Sequence, residues 1–557
     1  MNPSPILVIC LDAADPQLIE QWIAAGHLPA LNRLRQQGLY SRLESNVDYC
    51  GKATPASSTD KVWVMFSSGC LPNKTGFWDT AHFQKESYTI RFDHHTSGYD
   101  YREYSPFYAL GDDYRVATFD LPVAALSDQI KGLQVLGWGG HFPFTPNHSS
   151  PPELLPELIQ RYGENPVIYK DHGYWWDPSY ADWLTEALIQ SATTRAQICC
   201  DLLRRDRWDL FLTVFGEAHS AGHDLWHLSQ PDHPLYATWG QQRGEDLMLK
   251  AFQAIDRGIE QVVNAAPENA TIICPSVHGM GVNYTDLLSM AILPELIYRF
   301  NFAGKVAIAP GDSHTPPPPL ITKPLRRTWA GEVWSRKYDA NPLRRWLRPW
   351  TPSRFLHAYP QPDVISPYQL HAQGEKLSWI PAMWFSPLWS QMQAFALPAF
   401  SDGLIRINLQ GRESQGIVPP QEYDALCQRL TDMLLQLRDG RTGQPIVKEV
   451  VRTRPTPTAD GPQYPDADLA VLWHEYPSDV VDSPQLGRVG PLPYSRPGGH
   501  RGQGFVIAKG QGIAAGTERT EPAQVVDLAP TILELLQAPR PDHLDGQSLL
   551  QSIPQMV

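Results

Sequence analysis

Four histidines, one aspartate and one threonine stand out in this sequence because of what flanks them. Asp12 ends the apolar run Ile6–Leu11. His219 and His223 are one helical turn apart and follow the apolar run 209–215. His278 lies just past the run 270–274, in Pro275-Ser-Val277-His278-Gly279, and His500 precedes the run 504–508, in Gly498-Gly-His500-Arg-Gly. In open α/β sheets, ligands bind beyond the carboxyl ends of the strands. If the runs are strands of one sheet, a carboxylate and several imidazoles converge on one edge, and these groups suit zinc or a similar divalent cation. Singly, each has a bland reading: an aspartate at a strand end is usually a helix cap, and a histidine pair four apart is more often not a ligand pair. Four such signals at strand ends argue against coincidence.

Thr59 is the candidate nucleophile. Residues 59–69 read as a helix with Thr59 at its N-cap and Gly69 just past its end. Most threonines so placed only cap. The chemical reading is that the helix dipole and a bound cation stabilise the alkoxide, which makes a weak nucleophile usable.

The elements that must position these residues follow from the same runs. Ile6–Leu11, 116–119, 209–215, 270–274, Leu469–Trp473 and 504–508 are short and apolar, as in strands buried on both faces of a parallel sheet. Helical patterns run from Asp12 through Arg35 and over 179–204, 245–264, 419–437 and 523–536, an alternation that points to an α/β sheet with helices on both faces. Residues 303–400 break the pattern with prolines, including 316–319, and with Trp329, Trp334, Trp346, Trp350, Trp379, Trp384 and Trp389. This stretch reads as an insertion, cap or lid, dividing a catalytic domain over 1–302 and 401–557. Packed decoration is the plainer alternative, and core packing the plainer role for its tryptophans.

A formal charge of -13 over 557 residues argues against a nucleic-acid polymer or an anionic membrane as partner. A small anionic substrate remains compatible if cations offset the field locally. Seven cysteines without metal-type spacing suit a reducing compartment, and the N-terminus lacks the basic and apolar segments of a signal peptide. The expected location is cytoplasmic.

Taken in order, several motifs resemble the type I phosphodiesterase/nucleotide pyrophosphatase branch of the alkaline phosphatase superfamily. They are Leu-Asp12-Ala-Ala-Asp, the 59–69 helix followed by Leu71-Pro-Asn-Lys-Thr-Gly76, the His219/His223 block, Ser276-Val-His-Gly279 and Gly499-His-Arg501. The stretch 394–418 and the tail from Val526-Asp-Leu-Ala-Pro to Leu544-Asp-Gly546 extend the likeness. It is weakest over 80–200 and 303–390. The resemblance implies an alkaline-phosphatase-like fold with a mostly parallel central sheet, and two metal ions. One would sit on His219, His223 and His500; the other on Asp12, Thr59, His278 and position 277.

This sequence departs from that pattern at two ligands. His219 replaces a carboxylate, leaving a three-histidine set that zinc accepts, with manganese or magnesium as alternatives. Val277 replaces a carboxylate with a side chain that ligates nothing, so one tight site and a second, weak one are expected. Asp60 and Glu217 are the carboxylates that could substitute. Thr75 stands where the family usually has histidine. Cys70-Leu-Pro72 looks like a sulfatase motif but lacks its arginine and follows the Thr59 helix.

The resemblance implies hydrolysis of a phosphate ester, a phosphodiester or pyrophosphate rather than a monoester, through a phosphothreonine at Thr59. Arg326, Arg327, Arg344, Arg345 and Arg348 are candidates to grip an anionic substrate, solvated surface being their commoner fate. Two alternatives stand beside this: a non-catalytic binder of a phosphorylated or sugar-like ligand, which Val277 favours, and a phosphoryl transferase.

Overall fold

The computed structural model describes residues 4–92, 99–139, 147–168, 170, 174–315, 317, 327–352, 355 and 364–552. Its central sheet has ten strands among the described residues: β1 (Ile6–Leu11), β2 (Leu39–Glu44), β3 (Gly111–Phe119), β4 (Ile130–Leu136), β5 (His148–Ser150), β6 (Leu210–Phe215), β7 (Thr271–Ser276), β8 (Gln503–Lys509), β9 (Thr517–Glu518) and β10 (Ala523–Gln524). The order is β9-β2-β8-β7-β1-β6-β3-β4-β5, with β10 also on β2. The middle strands β7, β1, β6, β3 and β4 are parallel, whereas β8 runs antiparallel between β7 and β2.

The apolar runs are continuous because their strands are covered on both faces. Every residue of β1, β6 and β7 is buried. Side chains alternate: Leu7, Ile9 and Leu11 join Phe211 and Phe215 on one face, while Val8, Cys10, Leu212 and Val214 join the other. The second face is covered by α1 (Thr59–Ser68) and the helix Leu528–Leu536; the first by α2 (Pro178–Arg205), α3 (Glu217–Ser229) and α4 (Leu247–Ala265). This is a mostly parallel α/β sheet flanked by helices.

The register fixes where the site forms. Leu11 lies opposite Phe215 on one side and Ser276 on the other. The chain therefore leaves β1, β6 and β7 at one level, delivering Asp12, the start of α3 and Val277-His278 to the same edge.

Leu469–Trp473 does form a strand, but outside the central sheet. It joins Ala394–Leu397, Gly403–Ile407 and Val447–Arg452 in a separate antiparallel sheet. An apolar run reports burial, not which sheet provides it. The 523–536 pattern begins as the edge strand β10, and its α-helix starts only at Leu528. Within 303–400, Trp329, Trp334, Trp384 and Trp389 are buried in one core with Phe395, Ile405 and Trp473 of the second sheet. Trp346, Trp350 and Trp379 are exposed. Pro316, Pro318, Pro319 and Arg326 lie outside the described residues.

Candidate active site

α3 starts directly after β6 and carries His219 and His223 on one face, one turn apart. His500 reaches them from a short two-stranded ladder in which Gly498–Arg501 runs antiparallel to Gly279–Val282, with Met280 opposite His500. The ladder needs glycine where it crosses α3, because a Cβ on Gly498 would lie 2.0 Å from the Gly222 carbonyl oxygen. The three Nε2 atoms converge: His223 lies 3.2 Å from His219 and 2.9 Å from His500, and His500 lies 3.0 Å from His219.

The residues fit one cation here. His223 Nδ1 is 2.7 Å from the Gly498 carbonyl oxygen. Nδ1–H donates to that carbonyl, which turns the Nε2 lone pair toward the centre, as outer partners of metal-binding histidines do. Among the described residues, His219, His223 and His500 are the group whose ligand atoms converge closely enough to hold an ion.

Thr59 is buried beside them, its Oγ1 3.2 Å from His500 Nε2. It is not the N-cap. Ser58 takes that place in extended backbone, and Thr59 is the first residue of α1. Its hydroxyl is thereby turned to the histidines instead of to the helix's own amides. Gly69 ends the helix in the left-handed conformation, φ 66°, as its position suggests.

Asp12 and His278 form the adjoining part of the cluster. Asp12 Oδ1 accepts from Trp63 Nε1 at 2.9 Å and lies 3.1 Å from His278 Nε2, and the His278 and His500 rings are 5.0 Å apart. The structure thus gathers Asp12, Thr59, His219, His223, His278 and His500 at one sheet edge.

Beside Asp12, Thr59 and His278, position 277 adds no ligand. Val277 is fully buried in the apolar core. The two candidate substitutes are committed elsewhere. Glu217 accepts from Arg195 Nε at 2.9 Å and from Ser191 Oγ at 2.5 Å, inside a buried network that also ties Arg195 to Asp120. Asp60 accepts from Thr80, and burial, reinforced by Asp79, pushes its carboxyl up to about 7.

Arg496 is the member that sequence reasoning missed. Its Nη1 lies 2.9 Å from His223 Nε2, and its Nε donates to the buried Asp286 carboxylate at 2.7 Å. The available signal was its position one short loop before His500, in Arg496-Pro-Gly-Gly-His500. The arginines of the insertion are placed differently. Arg327 is buried next to Glu332, Arg348 is buried against the Trp334 ring, and Arg344 and Arg345 are exposed.

Thr75 sits in a short turn, where its Oγ1 accepts from the Phe77 amide. Cys70 is buried, and that burial pushes its thiol up to about 12, a poor setting for a nucleophile.

Comparison with curated proteins finds no match. Among solved structures, the chain is similar to phosphonoacetate hydrolase from Sinorhizobium meliloti in complex with phosphonoformate, at 12% identity and a TM-score of 0.45, covering 96% of each chain. It is similar to wild-type alkaline phosphatase PafA at 10% identity and a TM-score of 0.48, covering 99% of this chain and 98% of that one. For human ectonucleotide pyrophosphatase/phosphodiesterase 5 the values are 11% and 0.44, with 98% and 97% covered. The sequence profile described as type I phosphodiesterase/nucleotide pyrophosphatase matches residues 6–291. That match spans more than half of the chain, β1 to beyond His278, and the chain belongs to the type I phosphodiesterase/nucleotide pyrophosphatase family.

Proposed function

We propose that this chain is a metal-dependent hydrolase of a small phosphodiester or pyrophosphate, with Thr59 as nucleophile and one divalent cation, zinc before manganese or magnesium, held by His219, His223 and His500. The observation that carries the reading is the Thr59 hydroxyl 3.2 Å from the nitrogen of His500 that also meets His219 and His223.

A bound divalent cation supplies charge that lowers the pKa of a nearby hydroxyl and offsets that of a phosphoryl group. The chain's own residues do the rest. Burial and α1 hold the Thr59 oxygen in place, so that its attack on phosphorus costs little reorganisation. Thr59 gives up its hydroxyl proton to solvent, the Thr59 oxygen–phosphorus bond forms as the ester bond breaks, and the leaving oxygen departs with the bonding electrons and takes up a proton from water. Water then cleaves the phosphothreonine. Arg496, held by Asp286, faces the same space and would donate hydrogen bonds to the non-bridging oxygens of the substrate. A guanidinium beside a cation is repelled unless an anion lies between them, which favours an anionic substrate at this point. Asp12 keeps His278 and Trp63 in position beside the nucleophile.

The test is metal analysis of the purified protein, paired with turnover of an activated phosphodiester and the matching monoester. One zinc-like ion per chain and preference for the diester are expected. A chain that binds no metal and turns over neither ester with added zinc, manganese or magnesium is a binder instead. Release of product to an added alcohol rather than to water would identify a transferase. Cytoplasmic location and a 303–400 lid remain part of this proposal.

A further inference from the structure

The helix α5 (Pro342–Leu347) and the turn Arg348–Trp350 after it carry Leu343, Trp346, Leu347 and Trp350 at spacing i, i+3, i+4 and i+7. Such a stripe ordinarily faces a core. Here it faces outward: the four side chains are 63%, 68%, 45% and 63% exposed. The reason lies on the opposite side of the helix, where Arg348 is buried, donates from Nε to the Trp334 carbonyl oxygen and stacks over the Trp334 ring. That anchor fixes the helix to the body with its apolar stripe in solvent.

We infer that this stripe is a docking surface for an anionic lipid bilayer, on which α5 lies with Trp346 and Trp350 inserted at headgroup depth. Charge is the first argument. Between 336 and 350 the exposed basic residues are Arg344 and Arg345, since Lys337 and Arg348 are buried and Arg336 pairs with Glu332, and the one acidic residue is Asp339, in a chain whose total is -13. Arg344 and Arg345 are exposed on the flanks of the stripe, Arg345 over the Tyr338 ring. The total charge, which led to an expectation of no membrane contact, acts weakly here, because a charge beyond a Debye length of about 8 Å is largely screened. Composition is the second argument: tryptophan and leucine on one face with arginines at its flanks match a helix lying in the membrane interface. Area is the third. Four side chains of this size expose roughly 500 Å², below the ~800 Å² per partner of a stable protein interface. No helix among the described residues is long and apolar enough to cross a membrane. The contact is therefore with the surface.

The test is co-sedimentation of the full chain with vesicles of phosphatidylcholine alone, or mixed equally with phosphatidylglycerol. Binding to the mixed vesicles that declines with salt is expected, with little binding to phosphatidylcholine. Trp346→Ala with Trp350→Ala should weaken it at least about tenfold, as should the independent pair Leu343→Gln and Leu347→Gln. Arg344→Glu with Arg345→Glu should remove the preference for anionic vesicles. Melting temperature should stay unchanged in all three. The inference is overturned by absence of binding to the mixed vesicles or by full binding of the double tryptophan variant. It is equally overturned by a dimer in sedimentation velocity that this variant dissolves, since the stripe would then be a self-association face.

Discussion

Thr59 Oγ1 lies 3.2 Å from His500 Nε2 although 441 positions separate the two residues in the chain. The contact joins the first turn of α1 to the short strand Gly498–Arg501 just before β8, and with it the proposed nucleophile to the proposed cation site. Thr59→Ala is expected to lower kcat on an activated diester at least about a thousandfold, while Thr59→Ser retains measurable turnover. Rapid acid quench and mass spectrometry should find a phosphorylated peptide containing residue 59 in the wild type. Wild-type turnover by Thr59→Ala would remove Thr59 from the chemistry.

The three-histidine centre and Val277 predict opposite effects of two substitutions. His223→Ala should release the metal, because it removes one of the three converging imidazoles, the one whose Nε2 is oriented by the Gly498 carbonyl. Val277→Asp should create a demand for a second ion. An unpaired carboxylate at this fully buried position costs about 3 kcal/mol or more. A cation that binds only the folded state offsets that cost by mass action. Val277→Asp should therefore melt well below wild type in chelator, regain stability with added zinc more than wild type does, and bind one ion more per chain. Equal metal content in the two proteins would sink the claim that Val277 is what removes the second site.

The sheet edge was readable from the sequence because strands buried on both faces are predominantly apolar, and β1, β6 and β7, buried at every position, carry only Thr213, Thr271 and Ser276 as polar side chains. Once those runs are placed, Asp12, His219, His223 and His278 follow from chain continuity alone. His500 was legible as a histidine near an apolar run. The antiparallel ladder that carries it to α3, with Met280 opposite it, depends on pairing across more than 200 residues, which periodicity does not report. Strand β2 was missed because its Leu39–Glu44 mixes buried and exposed positions instead of forming an apolar run. Thr59 was misplaced by one residue, since Ser58 and Thr59 are equally good caps by type and only the contact with His500 distinguishes them. Arg496 was not seen because its relevance comes from Asp286, a partner 210 positions away.

Arg496 is expected to act on the anion rather than on the fold. Arg496→Ala should weaken binding of inorganic phosphate or vanadate, measured by calorimetry on zinc-loaded protein, about 10- to 100-fold, the value of one or two charge-assisted hydrogen bonds. Arg496→Lys keeps the charge but loses the planar fork, so partial recovery is expected. Zinc affinity without the anion should stay the same or rise, because a repelling cation has been removed. If anion binding is unchanged and zinc binding falls, Arg496 orders His223 and does not touch substrate.

His227, one turn beyond His223 on α3, predicts a pH dependence of stability. It is fully buried between Trp175 and His233, and neither ring nitrogen has a hydrogen-bond partner among the described residues. Burial pushes it well below the ordinary 6.5 and, in the same way, lowers His233 to about 3. Both are bases whose folded form stays neutral, so as pH falls below about 6.5 the unfolded chain takes up protons first. Their contribution is complete above that pH and is lost as pH falls toward the folded values, by about 1.4 kcal/mol per pH unit for each histidine. His227→Phe keeps an aromatic ring and removes one titrating group. The urea midpoint should then fall less steeply between about pH 6.5 and 4.5, with the variant gaining on wild type as the medium becomes more acid. Parallel curves for the two proteins would mean that His227 is protonated, or hydrated, inside the fold.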